Sequence, residues 1–370
     1  MRIGFIVTNL AGGGAERAVL NIAAALAARG HRSEVILLEN VISHELPPGV
    51  TVHAVTAKDR AVSKGWLGKR LAAGRLARLQ AHLARHQPFD LLVSTLPFAD
   101  EVARRARLPR HWCRIANTLS AEVARLHAAH RSKAARRLAR YRRLYDGRPL
   151  IAVSQGVAAD LRAALGLGRA RIEVIPNPFD FEALRARAAG AATLPEGPYI
   201  VHAGRFSAQK RHDLLLDAFA GLATRHRLVL LTEPAPALAA MIAARGLEAR
   251  VVVAGFRANP YPWMAGAALL VLCSDHEGLP NVIIEALALG VPVVSTDCPS
   301  GPREILGESL PDCLVPVGDA AALRAAIERA LSHPPDASRV DLQRYATPHV
   351  VAAYERLAAE AVWPCAASQA

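Results

Sequence analysis

Apolar runs of strand length alternate with helical patterns along this chain, and the first such run opens it. Ile3–Thr8 is continuously apolar apart from one glycine, which is typical of a strand buried on both faces. Three glycines follow at Gly12–Gly14, and apolar residues then recur at helical spacing until Gly30. A second apolar run, Glu34–Leu38, comes next. The segment therefore predicts a strand, a glycine loop, a helix and a parallel strand.

The same alternation continues through two successive parts of the chain. Further strand candidates in the first part are Val50–Val55, Asp90–Thr95, Cys113–Asn117, Leu150–Ser154 and Ile172–Ile175. The run Pro176–Phe179 interrupts the pattern, after which it starts again. Strand candidates in the second part are Tyr199–Ala203, Arg227–Thr232, Arg250–Ala254, Ala268–Cys273, Val291–Thr296 and Cys313–Val317. We predict an α/β protein with two doubly wound domains, residues 1–178 and 179–347, followed by a closing helix and polar tail over 348–370.

Composition narrows the class of protein. The chain has 370 residues, enough for two domains, and its hydrophobic fraction of 52% excludes global disorder. No stretch approaches the roughly 18–20 continuous apolar residues that span a bilayer, and the first residues lack the layout of a signal peptide. The five scattered cysteines are Cys113, Cys273, Cys298, Cys313 and Cys365. Their spacing fits neither a zinc site nor a disulfide framework, which favours a reduced, cytoplasmic location without a bound metal.

Basic residues are concentrated in the first part of the chain. Residues 1–150 contain 26 Lys and Arg against 10 Asp and Glu, whereas the remainder contains 19 against 22. Such asymmetry predicts a polyanionic partner: nucleic acid, an anionic membrane surface or pyrophosphate groups. The alternative is an arginine-rich proteome, since 40 of the 45 basic residues are arginine. A general bias explains the uneven distribution poorly.

Two segments carry much of this charge, and we expect both to be helices. Lys58–His86 and Arg131–Arg148 each contain eight basic residues and one acidic residue. The apolar stripes at helical spacing are Ala72, Leu76, Leu79 and Leu83 in one, and Ala134, Leu138, Tyr141 and Tyr145 in the other. We expect the stripes to pack on the sheet and the arginines to remain solvated. Anionic lipid or a polyprenyl pyrophosphate is the favoured partner, and the lack of a reading motif or aromatic platform disfavours nucleic acid.

Two loops have the composition of phosphate-binding segments. Gly12–Gly14 would let a ligand approach the backbone and the following helix N-terminus, although a tight turn without a ligand fits equally well. The spacing is not that of a dinucleotide fingerprint. In the second domain, Arg205 and Lys210 lie five residues apart in the loop after a strand. Two cations at the carboxyl edge of a parallel sheet suit a diphosphate, and the alternative is a pair of solvated surface charges.

A third segment carries two glutamates. Glu277 lies in the loop after another strand, a helix is predicted to begin near Asn281, and Glu285 falls in its first turns. The neighbours of Glu285 are apolar, so the helix is largely buried and its carboxylate needs a partner. A carboxylate near a helix N-terminus accepts vicinal hydroxyls well, and the amides of the preceding loop suit sugar or phosphate oxygens.

Together these motifs resemble family 4 of the retaining GT-B glycosyltransferases. The motifs are Gly-Gly-Gly-Ala-Glu at 12–16, Gly-Arg-Phe-x-x-Gln-Lys at 204–210, Glu-Gly-Leu-Pro-Asn-x-x-x-Glu-Ala at 277–286 and Gly-Val-Pro-Val-Val-Ser-Thr-Asp at 290–297. The resemblance spans the whole chain and is strongest over Ala203–Leu306. Residues 296–305 resemble the branch that builds bacterial surface or lipid-linked glycans, often from UDP-sugars. The implied fold is two Rossmann-like domains facing across a cleft, with a C-terminal helix returning toward the first.

The resemblance also implies roles for individual residues. Those implied to bind the nucleotide sugar are Gly13, Gly14, Arg205, Lys210, Glu277, Gly278, Leu279, Pro280, Asn281 and Glu285. Arg205 and Lys210 would hold the diphosphate and stabilise the leaving group. Glu285 would bind the ribose, Glu277 and the loop after it would position the donor sugar, and the glycines would face the diphosphate from the first domain. Many members place a histidine just past a first-domain strand to touch the donor sugar and the acceptor, and Asn117 is the nearest substitute here.

We therefore expect a metal-independent, retaining transferase that needs no cofactor beyond its nucleotide sugar. Arg205 and Lys210 would neutralise the diphosphate, and the departing phosphate can deprotonate the incoming hydroxyl. The expected acceptor is a membrane-associated glycan, and the expected place is the inner face of the cytoplasmic membrane. Three alternatives remain open: a soluble acceptor, a sugar-nucleotide epimerase on a similar fold, and a catalytically silent protein that docks on anionic surfaces.

Overall fold

The chain folds into two compact units, which a computed structural model describes for residues 1–360. Of the described residues, unit 1 contains Met1–Pro178 and 344–360, and unit 2 contains Phe179–Gln343. The chain thus leaves unit 1 once and returns to it at Arg344. The sequence predicts this return at residue 348, four residues later. Residues 361–370, with Cys365 and the predicted polar tail, lie outside the described residues.

Unit 1 is built on a parallel sheet of seven strands with the order β3-β2-β1-β4-β5-β6-β7. Its elements are β1 (Arg2–Val7), α1 (Gly14–Ala28), β2 (Arg32–Leu37), β3 (Val50–Ala54), α2 (Trp66–Leu83), β4 (Leu91–Thr95), α3 (Pro97–Arg105), β5 (His111–Ile115), α4 (Leu119–Ala129), α5 (Arg131–Tyr145), β6 (Pro149–Ala152), α6 (Gln155–Ala159), a π-helical turn (Asp160–Ala164) and β7 (Arg171–Val174).

Strand β1 explains why the opening run of the chain is apolar throughout. All six of its residues are buried. Alternate side chains of a strand point to opposite faces. Phe5 packs in a core cluster with residues of α1, and Ile6 packs in a separate cluster with residues of α2 and α3. The strand is therefore covered by helices on both faces, as a parallel sheet requires.

Unit 2 repeats the plan with six parallel strands in the order β10-β9-β8-β11-β12-β13. Its elements are α7 (Phe181–Ala188), β8 (Tyr199–Ala203), a 3₁₀ turn (Ala208–Lys210), α8 (His212–Ala220), β9 (Arg227–Leu231), α9 (Pro236–Ala243), β10 (Val251–Val253), α10 (Tyr261–Ala265), β11 (Leu269–Leu272), α11 (Asn281–Ala288), β12 (Val293–Thr296), α12 (Pro302–Leu306), β13 (Leu314–Val315) and α13 (Ala320–Ser332). The predicted class, an α/β protein with two doubly wound domains, is confirmed.

The last long helix, α14 (Thr347–Ala359), belongs to unit 1. Val350, Val351 and Leu357 join the cluster that covers β1, and the Tyr354 ring meets the Phe5 ring edge-on with 6.0 Å between centroids. The helix therefore completes the hydrophobic core of the unit in which the chain began. The prediction of a closing helix that returns to the first domain is confirmed.

Prolines shorten two predicted strands. The run predicted as Val291–Thr296 becomes a strand only from Val293, after Pro292. The run predicted as Cys313–Val317 forms a strand only over Leu314–Val315, before Pro316. Proline has no N–H to donate to the ladder, so it marks the limit of pairing in both places. Among residues 1–360, no helix is long and apolar enough to cross a membrane.

Candidate active site in unit 2

The candidate site lies where the strand order of the unit 2 sheet reverses. Strands β8 and β11 are neighbours in this sheet, and the chain runs outward from them in opposite directions. In doubly wound sheets, ligands bind at the carboxyl ends of such a strand pair. The two loops that leave this point, residues 204–211 after β8 and 273–280 after β11, contain Arg205, Lys210 and Glu277. The topology therefore brings together motifs that are about 70 residues apart.

Hydrogen bonds fasten the two loops to each other. Gln209 donates its side-chain N–H to the carbonyl of His276 over 2.6 Å, and the amide of Asp275 donates to the carbonyl of Gln209 over 2.9 Å. The Sγ of Cys273 lies 3.1 Å from the carbonyl oxygen of Lys210. These contacts fix the backbone on which Lys210 stands. Gln209 belongs to a motif visible in the sequence, but only the structure shows that its side chain links the two loops.

Lys210 and Glu277 form an ion pair at the centre of the site. The Lys210 Nζ lies 2.6 Å from Glu277 Oε1, and the hydroxyl of Ser274 donates to the same oxygen over 2.6 Å. The side chain of Glu277 is only 10% exposed and that of Lys210 is 18% exposed. A buried carboxylate is tolerated when it is paired and hydrogen-bonded, which both partners provide. Ser274 was missed by the sequence analysis, although its place directly after a buried strand is the usual signal.

Arg205 differs from Lys210 in its surroundings. Its side chain is exposed and makes no hydrogen bond or ion pair within the described chain. The charge of Lys210 is compensated by Glu277, whereas that of Arg205 is available to a ligand. A guanidinium presents donors in a fixed fork that matches phosphate oxygens. The structure thus brings both predicted cations to one strand end, in two different electrostatic states.

Glu285 lies on α11, which begins at Asn281 as the sequence predicts. The hydroxyl of Tyr261 donates to Glu285 Oε1 over 3.2 Å, which is the partner that a half-buried carboxylate needs. Tyr261 itself is 8% exposed and comes from α10, 24 residues earlier. No pattern in the sequence connects the two residues.

The loop that precedes α11 is held by a close backbone approach. Gly278, Leu279 and Pro280 are all buried. Gly301 has φ +108°, and a Cβ at this position would collide with the ring of Pro280. Only glycine satisfies both conditions. The glycine in the Pro-Ser-Gly-Pro run therefore supports the loop that carries Glu277.

Two buried histidines stand beside Lys210 and were not singled out in the sequence. His202 is the penultimate residue of β8, and its ring centroid lies 4.8 Å from that of His212. Nδ1 of His202 bonds to the carbonyl of Val271 over 2.9 Å, whereas Nε2 is buried without a hydrogen-bond partner within residues 1–360. Burial lowers the pKa of His202 to about 3 and that of His212 to about 4, with a further contribution from neighbouring Lys210. Both rings are therefore neutral near pH 7. A histidine inside an otherwise apolar strand was the available signal.

The predicted residues of the first domain lie in unit 1. Gly13 immediately precedes α1 and Gly14 is its first residue, while Gly12 has φ +118°, a conformation that favours glycine. The carboxylate of Glu16 lies over Gly13, where a Cβ would overlap it. This negative charge sits at the helix N-terminus, which is electrostatically favourable for the helix.

Asn117 lies two residues after the end of β5. Its side-chain oxygen accepts the amide of Thr118 over 3.0 Å, and the residue is half-buried. Asn117 is therefore placed at the carboxyl edge of the unit 1 sheet, and no charged side chain contacts it in the described chain. Its proposed role on the acceptor side remains a prediction.

The described residues hold no group of three His, Cys, Asp or Glu side chains that could bind a metal ion. The four described cysteines are free and buried. The site itself combines Arg205 and Lys210 in one loop, the carboxylates of Glu277 and Glu285, and the backbone amides of the loop before α11. Such an arrangement can bind an anionic leaving group and hydroxyls at one place.

The two arginine-rich segments form α2 and α5, and the predicted apolar stripes do pack inward. Leu76 of α2 and Tyr141 and Tyr145 of α5 are fully buried. The arginines of α5 differ from the expectation of solvated charge: Arg137 pairs with Glu122, and Arg140 Nη2 lies 2.7 Å from Glu101 Oε2. These two charges are compensated because acidic residues on α4 and α3 come within reach in the folded unit.

Two family models match the chain in consecutive parts. The model described as "Glycosyltransferase Family 4" matches residues 12–183, and the model described as "Glycosyl transferases group 1" matches residues 197–333. The first match covers the glycine loop of unit 1. The second contains every residue of the candidate site in unit 2.

The proteins that are similar over most of the chain include the following curated relative and two solved structures. The relative is the N-acetylgalactosamine-N,N'-diacetylbacillosaminyl-diphospho-undecaprenol 4-alpha-N-acetylgalactosaminyltransferase of Campylobacter jejuni, with 29% identity over 83% of this chain and 84% of the relative. Sucrose-phosphate synthase from Thermosynechococcus elongatus has a TM-score of 0.72 at 19% identity, over 97% of this chain and 96% of that one. Anabaena HepE in complex with UDP and glucose has a TM-score of 0.70 at 21% identity, over 96% and 99%. The two structures speak for the fold alone.

Proposed function

We propose that this chain, which belongs to the family 4 glycosyltransferases and has their GT-B fold, transfers a sugar from a UDP-sugar to a lipid-linked glycan with retention of the anomeric configuration. The observation that carries the proposal is the set of charges at the strand reversal of unit 2. Lys210, paired with Glu277 over 2.6 Å, and the uncompensated Arg205 stand at one strand end, with Glu285 on the helix that follows. This is the place where the fold binds ligands.

The donor would be held by groups of different character. Arg205 and Lys210 bind the two phosphates, and Lys210 can leave Glu277 for a phosphate oxygen with little movement of its stem. Glu285 accepts the ribose hydroxyls while Tyr261 keeps its carboxylate oriented. Glu277, released from Lys210 but still bonded to Ser274, accepts a hydrogen bond from a hydroxyl of the donor sugar, and the backbone N–H groups of Gly278, Leu279 and Asn281 donate to the sugar oxygens. The contacts made by Arg205, Lys210, Glu277 and Glu285 are charge-assisted, which makes each roughly twice as strong as a neutral hydrogen bond.

The transfer needs one bond exchanged on one face of the sugar. The bond between the anomeric carbon and the phosphate oxygen breaks, and a bond from the anomeric carbon to the acceptor oxygen forms. The proton of the acceptor hydroxyl passes to the departing phosphate oxygen, so no protein base is required. Arg205 and Lys210 stabilise the negative charge that develops on the diphosphate, and we propose that they take the place of a metal ion.

The acceptor is proposed from the relative and from charge. The name of the Campylobacter relative describes transfer to a diphospho-undecaprenol-linked sugar. Unit 1 of the present chain has 31 basic residues against 14 acidic ones, a formal net charge of +17. A polyprenyl diphosphate and the anionic lipids around it would be attracted to such a unit. We therefore place the enzyme at the cytoplasmic face of the membrane as a peripheral protein.

The donor assay tests the proposal without any lipid. A panel of UDP-, GDP- and TDP-sugars is screened by thermal shift and by release of the nucleoside diphosphate, with and without excess EDTA. We expect at least one UDP-sugar to raise Tm and to be hydrolysed slowly, with no change on adding EDTA. Abolition by EDTA with recovery on Mg²⁺ or Mn²⁺ would overturn the metal-free mechanism. Formation of an isomeric UDP-sugar without acceptor would instead identify an epimerase.

A lipid-linked acceptor then tests the second half of the proposal. The preferred UDP-sugar is supplied with short polyprenyl-diphosphate oligosaccharides or with the same oligosaccharides free in solution. We expect transfer to the lipid-linked form, and NMR of the new linkage to show the anomeric configuration of the donor. Equal transfer to the free oligosaccharide would favour a soluble acceptor, and inversion would contradict the retaining mechanism.

A further inference from the structure

Helix α2 carries large apolar side chains on the surface as well as in the core. Trp66 is 58% exposed, Leu67 is 66% exposed and Leu71 is 62% exposed. They occupy the first six residues of the helix. Single exposed leucines are normal, whereas three large apolar side chains grouped on one helix end mark an interaction surface.

Helical geometry explains why these residues do not join the core. Ala72, Ala73 and Leu76 face the sheet, with Leu79 and Leu83 packed against the same cluster. At about 100° per residue, Leu67 and Leu71 are one turn apart and point roughly opposite to this inward stripe. The helix is therefore apolar on two sides. The inward stripe is covered within unit 1, and the outward residues have no cover in the described chain.

The charge around the outward residues has a single sign. No acidic residue occurs between Asp59 and Asp90. The exposed basic residues on or just before α2 are Lys64, Arg70, Arg75 and Arg78. The guanidinium of Arg70 lies 5.5 Å from the centre of the Trp66 ring, so charge and apolar surface adjoin. The remaining basic residue of the helix start, Lys69, points inward and pairs with Glu101 over 2.8 Å.

Helix α5 provides an internal comparison. It is richer in arginine, but none of its large apolar side chains is exposed, and Arg137 and Arg140 are compensated by Glu122 and Glu101. A helix rich in arginine therefore does not necessarily expose large apolar side chains on this unit. Of the two helices α2 and α5, only α2 combines exposed Trp and Leu side chains with uncompensated arginines.

We propose that the outward face of α2, formed by Lys64, Trp66, Leu67, Arg70, Leu71, Arg75 and Arg78, inserts into the interface of an anionic lipid bilayer. Trp66, Leu67 and Leu71 enter the boundary between headgroups and acyl chains, and the arginines bind lipid phosphates. Tryptophan is enriched at this depth of a bilayer because its ring is apolar and its N–H is polar. The acid-free basic residues of this face complement anionic lipid headgroups, and the exposed Trp66, Leu67 and Leu71 beside them complement acyl chains, so an anionic lipid surface matches both. The inference rests on the membrane-bound acceptor of the proposed function, and it goes beyond attraction by charge.

Salt distinguishes insertion from attraction. Electrostatic binding is screened over about 3 Å at 1 M salt, whereas contact of apolar side chains with acyl chains is not. Sedimentation with vesicles of phosphatidylcholine and 30% phosphatidylglycerol is therefore measured at roughly 0.05 and 0.5 M NaCl. We expect the wild type to bind in both. We expect Leu67→Ser with Leu71→Ser to lower the partition coefficient at least ~10-fold at high salt and much less at low salt.

The natural reporter of insertion is Trp66. Trp112 and Trp263 are buried, at 5% and 8% exposure, and Trp363, outside the described residues, is removed as Trp363→Phe in all variants. When the protein binds vesicles that contain brominated lipids, we expect the fluorescence of Trp66 to be quenched. A matched Trp66→Phe variant gives the background fluorescence of the other tryptophans. Arg136→Gln with Arg143→Gln on α5 is the matched control, expected to weaken binding at low salt only.

Several outcomes would overturn the inference. Unquenched Trp66 in vesicle-bound protein would mean that another surface holds the membrane. Equal high-salt binding by wild type and the Leu67→Ser, Leu71→Ser variant would have the same meaning. A blue shift of Trp66 that grows with protein concentration without lipid would show that a second copy covers this face. The lipid-free donor assay separates these results from the proposed function, because the variant is expected to release the nucleoside diphosphate at the wild-type rate.

Discussion

The two units share a topology, and their strand-reversal points differ in chemistry. In unit 1 the order reverses between β1 and β4, and the loops there are Gly12–Gly14 and the turn that enters α3 at Leu96 and Pro97. In unit 2 the corresponding loops carry Arg205, Lys210 and Glu277. Topology therefore provides a crevice in each unit, and the residue types decide which of them binds a charged ligand.

The net charges of the two units differ in the opposite sense from the charges at their strand-reversal points. Unit 1 has a formal charge of +17, whereas unit 2 has 14 basic against 18 acidic residues and a charge of −4. The charged strand end is thus in the unit that is negative as a whole. We expect Arg205 and Lys210 to act because the fold concentrates them at one place, since interactions between exposed charges are screened within about 10 Å at 0.1 M salt. The sum of charges reports on partners of the surface, such as lipids, and not on the position of the site.

The largest effect is expected from removing the charges of the unit 2 strand end. Arg205→Ala with Lys210→Ala, and separately Glu285→Gln, are each expected to lower kcat/KM at least ~100-fold. This corresponds to about 2.7 kcal/mol, within reach of lost charge-assisted contacts. The measurement is turnover of the preferred UDP-sugar by protein whose circular dichroism and Tm are those of the wild type.

A matched pair at the opposite edge of the same sheet gives the control. Arg225→Ala with Arg227→Ala removes two exposed arginines where β9 begins. This variant keeps the same net charge as the first pair but is expected to retain wild-type turnover. If both pairs lose activity alike, charge rather than position is responsible, and the comparison between strand ends fails.

A smaller effect is expected from removing the Tyr261 hydroxyl, which bonds to Glu285. Tyr261→Phe keeps the ring, which is buried, and removes the hydrogen bond to Glu285. We expect KM for the UDP-sugar to rise about tenfold with kcat nearly unchanged, since about 1.4 kcal/mol of ground-state binding is lost. A fall in kcat at constant KM would place Tyr261 in the reaction itself. Isothermal titration with UDP alone distinguishes ribose binding from sugar binding.

The smallest expected effect is on the pH dependence of stability, where a buried acid in unit 1 and a buried histidine in unit 2 are compared. Burial raises the pKa of Asp100 in unit 1 to about 7 and lowers that of His202 in unit 2 to about 3. Between pH 7 and 5, folded Asp100 takes up a proton that the unfolded chain does not, so acid favours folding there. Folded His202 stays neutral while the unfolded histidine is protonated, so acid opposes folding there.

Two variants isolate these contributions in urea unfolding at pH 5 and pH 7. His202→Gln is expected to gain stability relative to the wild type on acidification, and Asp100→Asn to lose it, each by on the order of 1 kcal/mol. Asp100 bonds to Ser94 and to the hydroxyl of Tyr145, so its variant also reports on that network. Shifts of the same sign in both variants would contradict the contrast between the units.

Local patterns predicted much of the site in unit 2. The two cations, both glutamates and the start of α11 at Asn281 follow from motifs in which each residue is close in sequence to the strand or helix that positions it. The partners of these residues were not predicted. Ser274 bonds to Glu277 and Tyr261 to Glu285, and the second pair is separated by 24 residues and by a strand of the sheet. Spacing along the chain has no information on the contact between Tyr261 and Glu285.

The sequence by itself determined the class, the order of elements and the identity of the charged residues at the strand ends, because apolar periodicity and glycine placement act over a few residues. Only the tertiary structure decided how those charges are compensated. Lys210 is paired and Arg205 is not, Arg137 and Arg140 are neutralised, and the arginines of α2 stand beside exposed Trp66 and Leu67. The reason is physical: the energy of a charge depends on its distance to other charges and on its burial, and both are set by segments that meet only when the chain has folded.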